Sequence, residues 1–123
     1  MKNIFPFLFL LAVPFLSCTE NSAEDIVSGI NQGKVAPNFT YTSLNDIEIT
    51  LSDLKGKVVY IFFFGANCPH CRDNGPVTEN DIYQKFKNNS DFIALGLDTW
   101  NTSAGTVQNF KSVTGISYSL LLN

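Results

Sequence analysis

Residues 58–71 read VVYIFFFGANCPHC, and this segment carries the strongest structural signal in the chain. Its first part, Val58–Phe64, is an unbroken run of β-branched and aromatic side chains, which predicts a buried central strand. The cysteines Cys68 and Cys71 follow this strand. Pro69 between them suits the first turn of a helix, because its missing N–H would have no partner there in any case. The segment therefore predicts a strand, a short loop and a helix that begins at the cysteine pair.

The spacing of the two cysteines is typical of thiol–disulfide exchange. Cys68 would lie where the helix begins, and the unpaired N–H groups and the helix dipole at that point favour a thiolate. The thiolate is the form of cysteine that attacks disulfides. We therefore predict that Cys68 is the reactive thiol and that Cys71, one turn further along, is the buried resolving thiol.

Length and composition exclude several classes of protein. The chain has 123 residues, of which 45% are hydrophobic and 15% charged, so it is long enough for one small globular domain. Its net charge is −3 and it contains no basic cluster. We therefore expect no nucleic-acid partner.

The N-terminal residues predict export. Lys2 precedes an apolar segment, Ile4–Leu16, which contains two prolines and is shorter than the roughly 20 residues of a membrane-spanning helix. Residues 1–17 are therefore interpreted as a secretory signal peptide. The sequence that ends in Cys18 resembles the bacterial lipobox, whose cysteine is lipidated and becomes the new N-terminus. An ordinary cleaved signal is the alternative. With lipidation, residues 18–34 form a tether, and the chain is exported and lipid-anchored to a bacterial membrane, facing the periplasm or the cell exterior.

Strand and helix patterns alternate along residues 35–123. Two alternating segments flank Asn45-Asp46 and predict a β-hairpin. A short turn with a Ser52 cap, ended by Gly56, precedes the segment with the cysteines. The helix after the cysteines should be kinked by Pro76. The remaining predicted elements are a buried strand at Phe92–Leu97, a helix at Ser103–Thr114 with Val107, Phe110 and Val113 inward and Gly115 at its end, and a strand at Tyr118–Leu122. This alternation predicts an α/β sheet with parallel strands.

On these motifs the chain resembles the thioredoxin superfamily, and within it the TlpA/ResA-like redoxins, which are exported thiol-disulfide oxidoreductases. The resemblance implies a thioredoxin-like α/β fold with an N-terminal β-hairpin. It is carried by Ala36-Pro37-Asn38-Phe39, the turn Leu51–Lys57, the strand into residues 65–72, and Pro76.

The resemblance also implies roles for individual residues. Cys68 matches the family's attacking cysteine and Cys71 its resolving cysteine. Pro69 and His70 resemble the dipeptide of strongly oxidising members, in which the histidine stabilises the thiolate, whereas the TlpA/ResA branch is usually reductive. The direction of electron flow is therefore left open. The implied partners are protein thiols and disulfides, including those of cytochrome maturation or a disulfide relay, and no cofactor is implied.

Three departures from the family pattern stand out. Asn67 occupies a position where Trp is common, and Phe62 one where a buried acid is common. No proline follows Pro76, so the cis-proline loop and the final ββα part of the fold have no counterpart here. We therefore expect residues 35–123 to be a partial thioredoxin-like domain. The alternative function is that of an incomplete, non-catalytic redoxin that is unstable or only binds a partner.

Other chemistry fits the cysteine segment less well. A closed zinc site has four protein ligands, and beyond Cys68, His70 and Cys71 there is no second Cys/His pair. Haem attachment needs a histidine directly after the second cysteine, where Arg72 stands. We interpret Arg72 and Asp73 as an exposed first helical turn. Two residues after the second buried strand, Asp98 and Trp100, are expected in a solvated loop with one packing aromatic side chain.

Overall fold

A five-stranded mixed sheet organises the fold. The computed structural model describes Gly33 and residues 35–123. In spatial order the strands are β2-β1-β5-β4-β3. Strands β3, β4 and β5 are parallel, and β1 pairs antiparallel with both β2 and β5. This confirms the predicted α/β sheet. The strand bounds are Thr40–Ser43 (β1), Glu48–Thr50 (β2), Val58–Phe64 (β3), Phe92–Asp98 (β4) and Ser119–Leu122 (β5).

The predicted hairpin is present as β1 and β2. The turn between them places Asp46 at φ 57°, and the Ser43 hydroxyl accepts hydrogen bonds from the N–H groups of Asn45 and Ile47. A 3₁₀ helix, Leu51–Leu54, follows β2. The predicted Ser52 cap is wrong, because Thr50 is the N-cap residue and Ser52 lies inside the helix. The Ser52 N–H donates to Asn38 Oδ1 at 2.8 Å.

Strand β3 lies at an edge of the sheet, not at its centre. Among the described residues it pairs only with β4, from Val58↔Phe92 to Phe64↔Asp98. Val58 and Phe63 are 65% and 59% exposed, and Phe64 is the one fully buried residue of the strand. The prediction of a strand is therefore confirmed, and the prediction of a buried central position is wrong for the part of the chain that the structure describes. Strand β4 is the well-buried strand, as predicted.

The helix after the cysteines changes its hydrogen-bonding pattern. Helix α1, Pro69–Val77, continues as a π-helical segment, Thr78–Tyr83, and then as the short helix α2, Gln84–Phe86. Pro76 lies inside α1 and has no N–H to donate. A widened π-turn starts two residues after the proline, and the predicted kink itself stays a prediction.

Helix α3, Ala104–Thr114, begins and ends as the sequence predicts. The Ser103 hydroxyl accepts from the Thr106 N–H, and Gly115 takes a left-handed conformation at φ 72°. Val107 and Phe110 are completely buried, but the prediction for Val113 is wrong because it is 56% exposed. Its neighbour Thr114 is buried in its place and packs against Gly75 of α1.

Two apolar layers lie on opposite faces of the sheet. The layer under the helices is centred on the stacked rings of Phe64 and Phe110, whose centroids are 4.4 Å apart. The other layer contains Leu95, Leu97 and Leu121. Because Phe64 anchors the end of β3 in the first layer, the loop that follows it is fixed against the core at the point where α1 begins.

The predicted signal peptide (residues 1–17), the tether (residues 18–34) and Cys18 lie outside the described residues, apart from the single position Gly33. In the part that is described, none of the helices is both long and apolar enough to cross a membrane.

Candidate active site

Cys68 lies at the start of α1, at the carboxyl end of β3. It is the N-cap residue, with an extended backbone at φ −77° and ψ 120°. Its N–H donates to the Gly65 carbonyl at 2.9 Å, and its own carbonyl accepts from the Arg72 N–H at 3.1 Å. Gly65 and Ala66 are buried, so the loop before the helix has little freedom. The predicted strand–loop–helix arrangement is therefore present, with Pro69 as the first helical residue.

Arg72 holds this loop from the helix side. Its Nε and Nη2 atoms both donate to the carbonyl of Ala66, each at 3.3 Å. The side chain is half-buried, so the prediction that it belongs to an exposed first turn is wrong, whereas Asp73 is exposed as predicted. Arg72 therefore connects the first turn of α1 to the loop that precedes Cys68.

The thiol of Cys68 is the more acidic of the two described thiols. Hydrogen bonds from the Cys71 side chain and from the Cys71 backbone N–H lower the pKa of Cys68 below its ordinary value. The backbone N–H of His70 contributes in the same direction, while the negative charge of Asp73 opposes it. The donors to this sulfur are thus mainly groups of the first helical turn, which have no partner within the helix.

The thiol of Cys71 is shifted in the opposite direction. Burial raises its pKa, and the neighbouring Cys68 sulfur raises it further, against a hydrogen bond from the Gly65 N–H that lowers it. The two thiols are free, and the Cys71 side chain is close enough to lower the pKa of Cys68. The pair therefore combines one thiol poised to become a thiolate with a neighbour that keeps its proton.

The two residues between the cysteines are exposed. Pro69 fixes the start of the helix, and the described contribution of His70 to the Cys68 sulfur comes from its backbone N–H. Any residue except proline can supply that N–H at this position. The predicted tuning by the imidazole ring itself stays a prediction.

The loop after β4 also contacts the segment before Cys68, and Trp100 is the packing aromatic side chain that the sequence predicts. Asp98 is completely buried and Trp100 is 57% exposed, so the expectation of a solvated position is wrong for Asp98. The Trp100 ring lies directly on Gly65, where an added Cβ would overlap three of its carbon atoms. Glycine three residues before the first cysteine is the one sequence signal for this close approach.

The described residues contain no cluster of three or more His, Cys, Asp or Glu side chains that could hold a metal ion. The groups of known reactivity at the site are the two thiols. A nucleophilic thiolate within reach of a second thiol can form a mixed disulfide and then resolve it.

The sequence matches known proteins over the same region. A model of the Redoxin family matches residues 31–123. The thiol-disulfide oxidoreductase ResA of Bacillus thuringiensis is 36% identical over 92 residues, which are 74% of this chain and 51% of ResA. The thioredoxin-like protein YneN of Bacillus subtilis is 25% identical over 95 residues, or 77% of this chain and 55% of YneN. The chain thus spans about half the length of the curated relatives it matches.

Solved structures share the fold. The solution structure of a candidate protein disulfide isomerase from Bacteroides thetaiotaomicron is 40% identical, with a TM-score of 0.70 over 74% of this chain and 57% of that one. The thioredoxin domain of a thiol-disulfide oxidoreductase from Bacteroides vulgatus is 27% identical, with a TM-score of 0.66 over 76% of this chain and 64% of that one. The thioredoxin-like fold that the sequence predicts is therefore confirmed.

Proposed function

Because this chain belongs to the Redoxin family, we propose that it is a thiol–disulfide oxidoreductase that acts on protein thiols and disulfides through Cys68 and Cys71. The position of Cys68 at the start of α1, with Cys71 in the first turn of that helix, is the observation that carries this proposal. The lowered pKa of Cys68 increases its thiolate fraction, and the raised pKa of Cys71 decreases the thiolate fraction of that neighbour, so Cys68 is the better nucleophile of the two.

In the reductive direction the Cys68 thiolate attacks one sulfur of a substrate disulfide. A mixed disulfide forms and the other substrate sulfur leaves as a thiolate, which takes up a proton. Cys71 then loses its proton and attacks the Cys68 sulfur, releasing the second substrate thiol. The protein pair is oxidised by two electrons and the substrate disulfide is reduced by two. The oxidative direction is the same sequence reversed.

The polarity of the two cysteines can be tested by trapping. In a Cys18→Ser background, Cys68 and Cys71 are the only thiols of the chain. Brief alkylation at mildly acidic pH should label Cys68 before Cys71. Mass spectrometry of the peptides measures the labelling of each cysteine. With an unfolded disulfide protein as substrate, Cys71→Ser should accumulate a mixed disulfide through Cys68, and Cys68→Ser should not.

Equal labelling of both cysteines at the rate of a free thiol would contradict the proposed polarity. The absence of any exchange with glutathione disulfide would favour the alternative of a non-catalytic redoxin that only binds a partner. A glutathione redox titration of the same protein gives the reduction potential, which decides between an oxidant and a reductant for a given compartment.

We further propose that the chain is exported and anchored by a lipid on Cys18, with residues 1–17 as the signal peptide and residues 18–34 as the tether. The charged start, the apolar segment and the cysteine at its end support this proposal. Expression in a bacterial host should yield protein in the detergent phase without residues 1–17. Cys18→Ser should remain unprocessed. A soluble product cleaved normally despite this substitution would contradict the anchor and favour an ordinary signal peptide.

A further inference from the structure

Trp100 is an exposed aromatic side chain placed beside the cysteine pair. It is the single tryptophan of the chain, and 57% of it is exposed. One face of its ring covers the backbone of Gly65, so that even a methyl group at position 65 would collide with it. An exposed indole ring leaves apolar surface in contact with water, and burial of that surface would be favourable. Contact with a binding partner is one way in which this surface becomes buried.

The loop that carries Trp100 is held firmly. The buried carboxylate of Asp98 accepts hydrogen bonds from the Trp100 N–H at 3.3 Å and from the N–H and hydroxyl groups of Thr102, both at 2.7 Å. The N–H and hydroxyl of Thr99 donate to the Phe64 carbonyl at 2.8 and 3.1 Å. The short loop that carries the ring is thus held by Asp98 on both sides of Trp100, and Thr99 bonds it to the end of β3.

Gly65 connects this ring to both cysteines. Its carbonyl accepts from the Cys68 N–H at 2.9 Å, and its backbone N–H acts to lower the pKa of Cys71. The indole therefore covers the residue whose carbonyl bonds to the Cys68 backbone, three positions before the reactive thiol. Rigid, partly exposed aromatic side chains bind partners well, because little side-chain entropy is lost when they are covered.

We propose that Trp100 is a substrate-specificity residue, forming an apolar wall against which a protein substrate packs while its sulfur reacts with Cys68. This inference rests on the proposed function. The substrate class it selects is a polypeptide whose reacting cysteine is flanked by an aromatic or large aliphatic side chain. Asp98 is a positioning residue, since it acts only through the loop that it holds.

The test compares two short peptides that differ in the residues flanking one cysteine, which are phenylalanine in one and serine in the other. Each cysteine is joined to thionitrobenzoate. When the Cys68 thiolate attacks the peptide sulfur, thionitrobenzoate leaves as a coloured thiolate, and Cys71 then releases the peptide thiol. The rate constant for each peptide is measured with the reduced full chain, with Trp100→Ala and with Trp100→Phe, all in the Cys18→Ser background.

Trp100→Ala should slow the phenylalanine-flanked peptide by about tenfold and the serine-flanked peptide by less than about twofold, as expected for loss of one aromatic contact. Trp100→Phe should restore most of the preference. Ile47→Ala is the matched control, because Ile47 is 59% exposed but lies in the β1–β2 turn, at the opposite end of the parallel strands. It should leave both rates unchanged.

The pH dependence of Cys68 alkylation and the glutathione equilibrium should be the same in Trp100→Ala and the unsubstituted chain. Equal slowing of both peptides, or a shift in either of those two quantities, would overturn the inference, because Trp100 would then act through the Gly65 loop. A lack of exchange with glutathione disulfide in the unsubstituted chain would instead remove the proposed function itself.

Discussion

At the scale of single residues, the acidity of Cys68 comes from local backbone geometry. Its pKa is lowered by the side chain and backbone N–H of Cys71 and by the backbone N–H of His70, all within one helical turn. Such short-range features follow from the sequence, since a Cys-Pro pair after a strand indicates where a helix begins. The contact of Trp100 with Gly65 does not, because it joins residues 35 positions apart and depends on the pairing of β3 with β4.

The backbone N–H of His70 can be tested separately from its ring. His70→Pro removes the N–H, and proline is tolerated in the first turn of a helix. We expect a higher pKa for Cys68 and about threefold or more slower alkylation at pH 6, since one donor to the thiolate is lost. His70→Ala keeps the N–H and is the control. The measurement is the alkylation rate against pH in the Cys18→Ser background.

A less acidic Cys68 also makes the disulfide harder to reduce, because the reduced state loses thiolate stabilisation. The glutathione equilibrium of His70→Pro should shift accordingly toward the oxidised protein. If His70→Ala matches His70→Pro in both measurements, the imidazole ring is the group that matters. That result would support the role that the family resemblance gives to this histidine.

At the scale of elements, the type of each strand and helix follows from its own sequence, but its place in the sheet does not. The apolar run of β3 is typical of a strand buried on both faces, yet β3 lies at the edge in the described region, with Phe63 59% exposed. A strand's composition reports its β propensity and not the number of its neighbours. A central position requires a strand on each side, which is long-range information.

The face of a helix is similarly set by its neighbours. Helical periodicity allows either Val113 or Thr114 to continue the inward row after Val107 and Phe110. Thr114 is chosen because α1 packs closely there through Gly75, and because its hydroxyl bonds to the Phe110 carbonyl at 2.7 Å. The larger apolar side chain of Val113 is left on the surface. A prediction from hydrophobicity alone therefore buries Val113, although Thr114 is the residue that is buried.

At the scale of the whole molecule, a buried carboxylate joins the helical layer to the sheet. Glu79 of the π-helical segment is 6% exposed, and it accepts hydrogen bonds from the Ser117 N–H at 2.8 Å and the Ser117 hydroxyl at 2.7 Å. Gln84 donates a third bond to it. Ser117 lies two residues before β5, so this contact connects segments 38 positions apart. The sequence gives no local sign of it, since Glu79 occupies an ordinary position in a helical pattern.

Glu79 should make the free energy of unfolding depend on pH in the acidic range. Burial alone would raise its pKa, but the hydrogen bonds from Ser117 and Gln84 outweigh burial and hold the pKa below the ordinary value of 4.5. A carboxyl group whose pKa is depressed by folding stabilises the fold above its unfolded-state pKa, and this contribution is lost as the pH falls through the folded-state pKa. We therefore expect Glu79→Gln to lower the free energy of unfolding by about 2 kcal/mol at pH 7, because charged hydrogen bonds are lost.

The difference between Glu79→Gln and the unsubstituted chain should stay constant from pH 7 down to about pH 5 and shrink below pH 4, where Glu79 itself becomes neutral. Urea unfolding at several pH values measures it. The matched control is Glu48→Gln, since Glu48 is exposed on β2 and should change stability by less than about 0.5 kcal/mol. Other carboxylates affect both chains alike, so they cancel in the comparison. A difference that stays the same at pH 3 would mean that Glu79 stabilises the fold through packing and not through its charge.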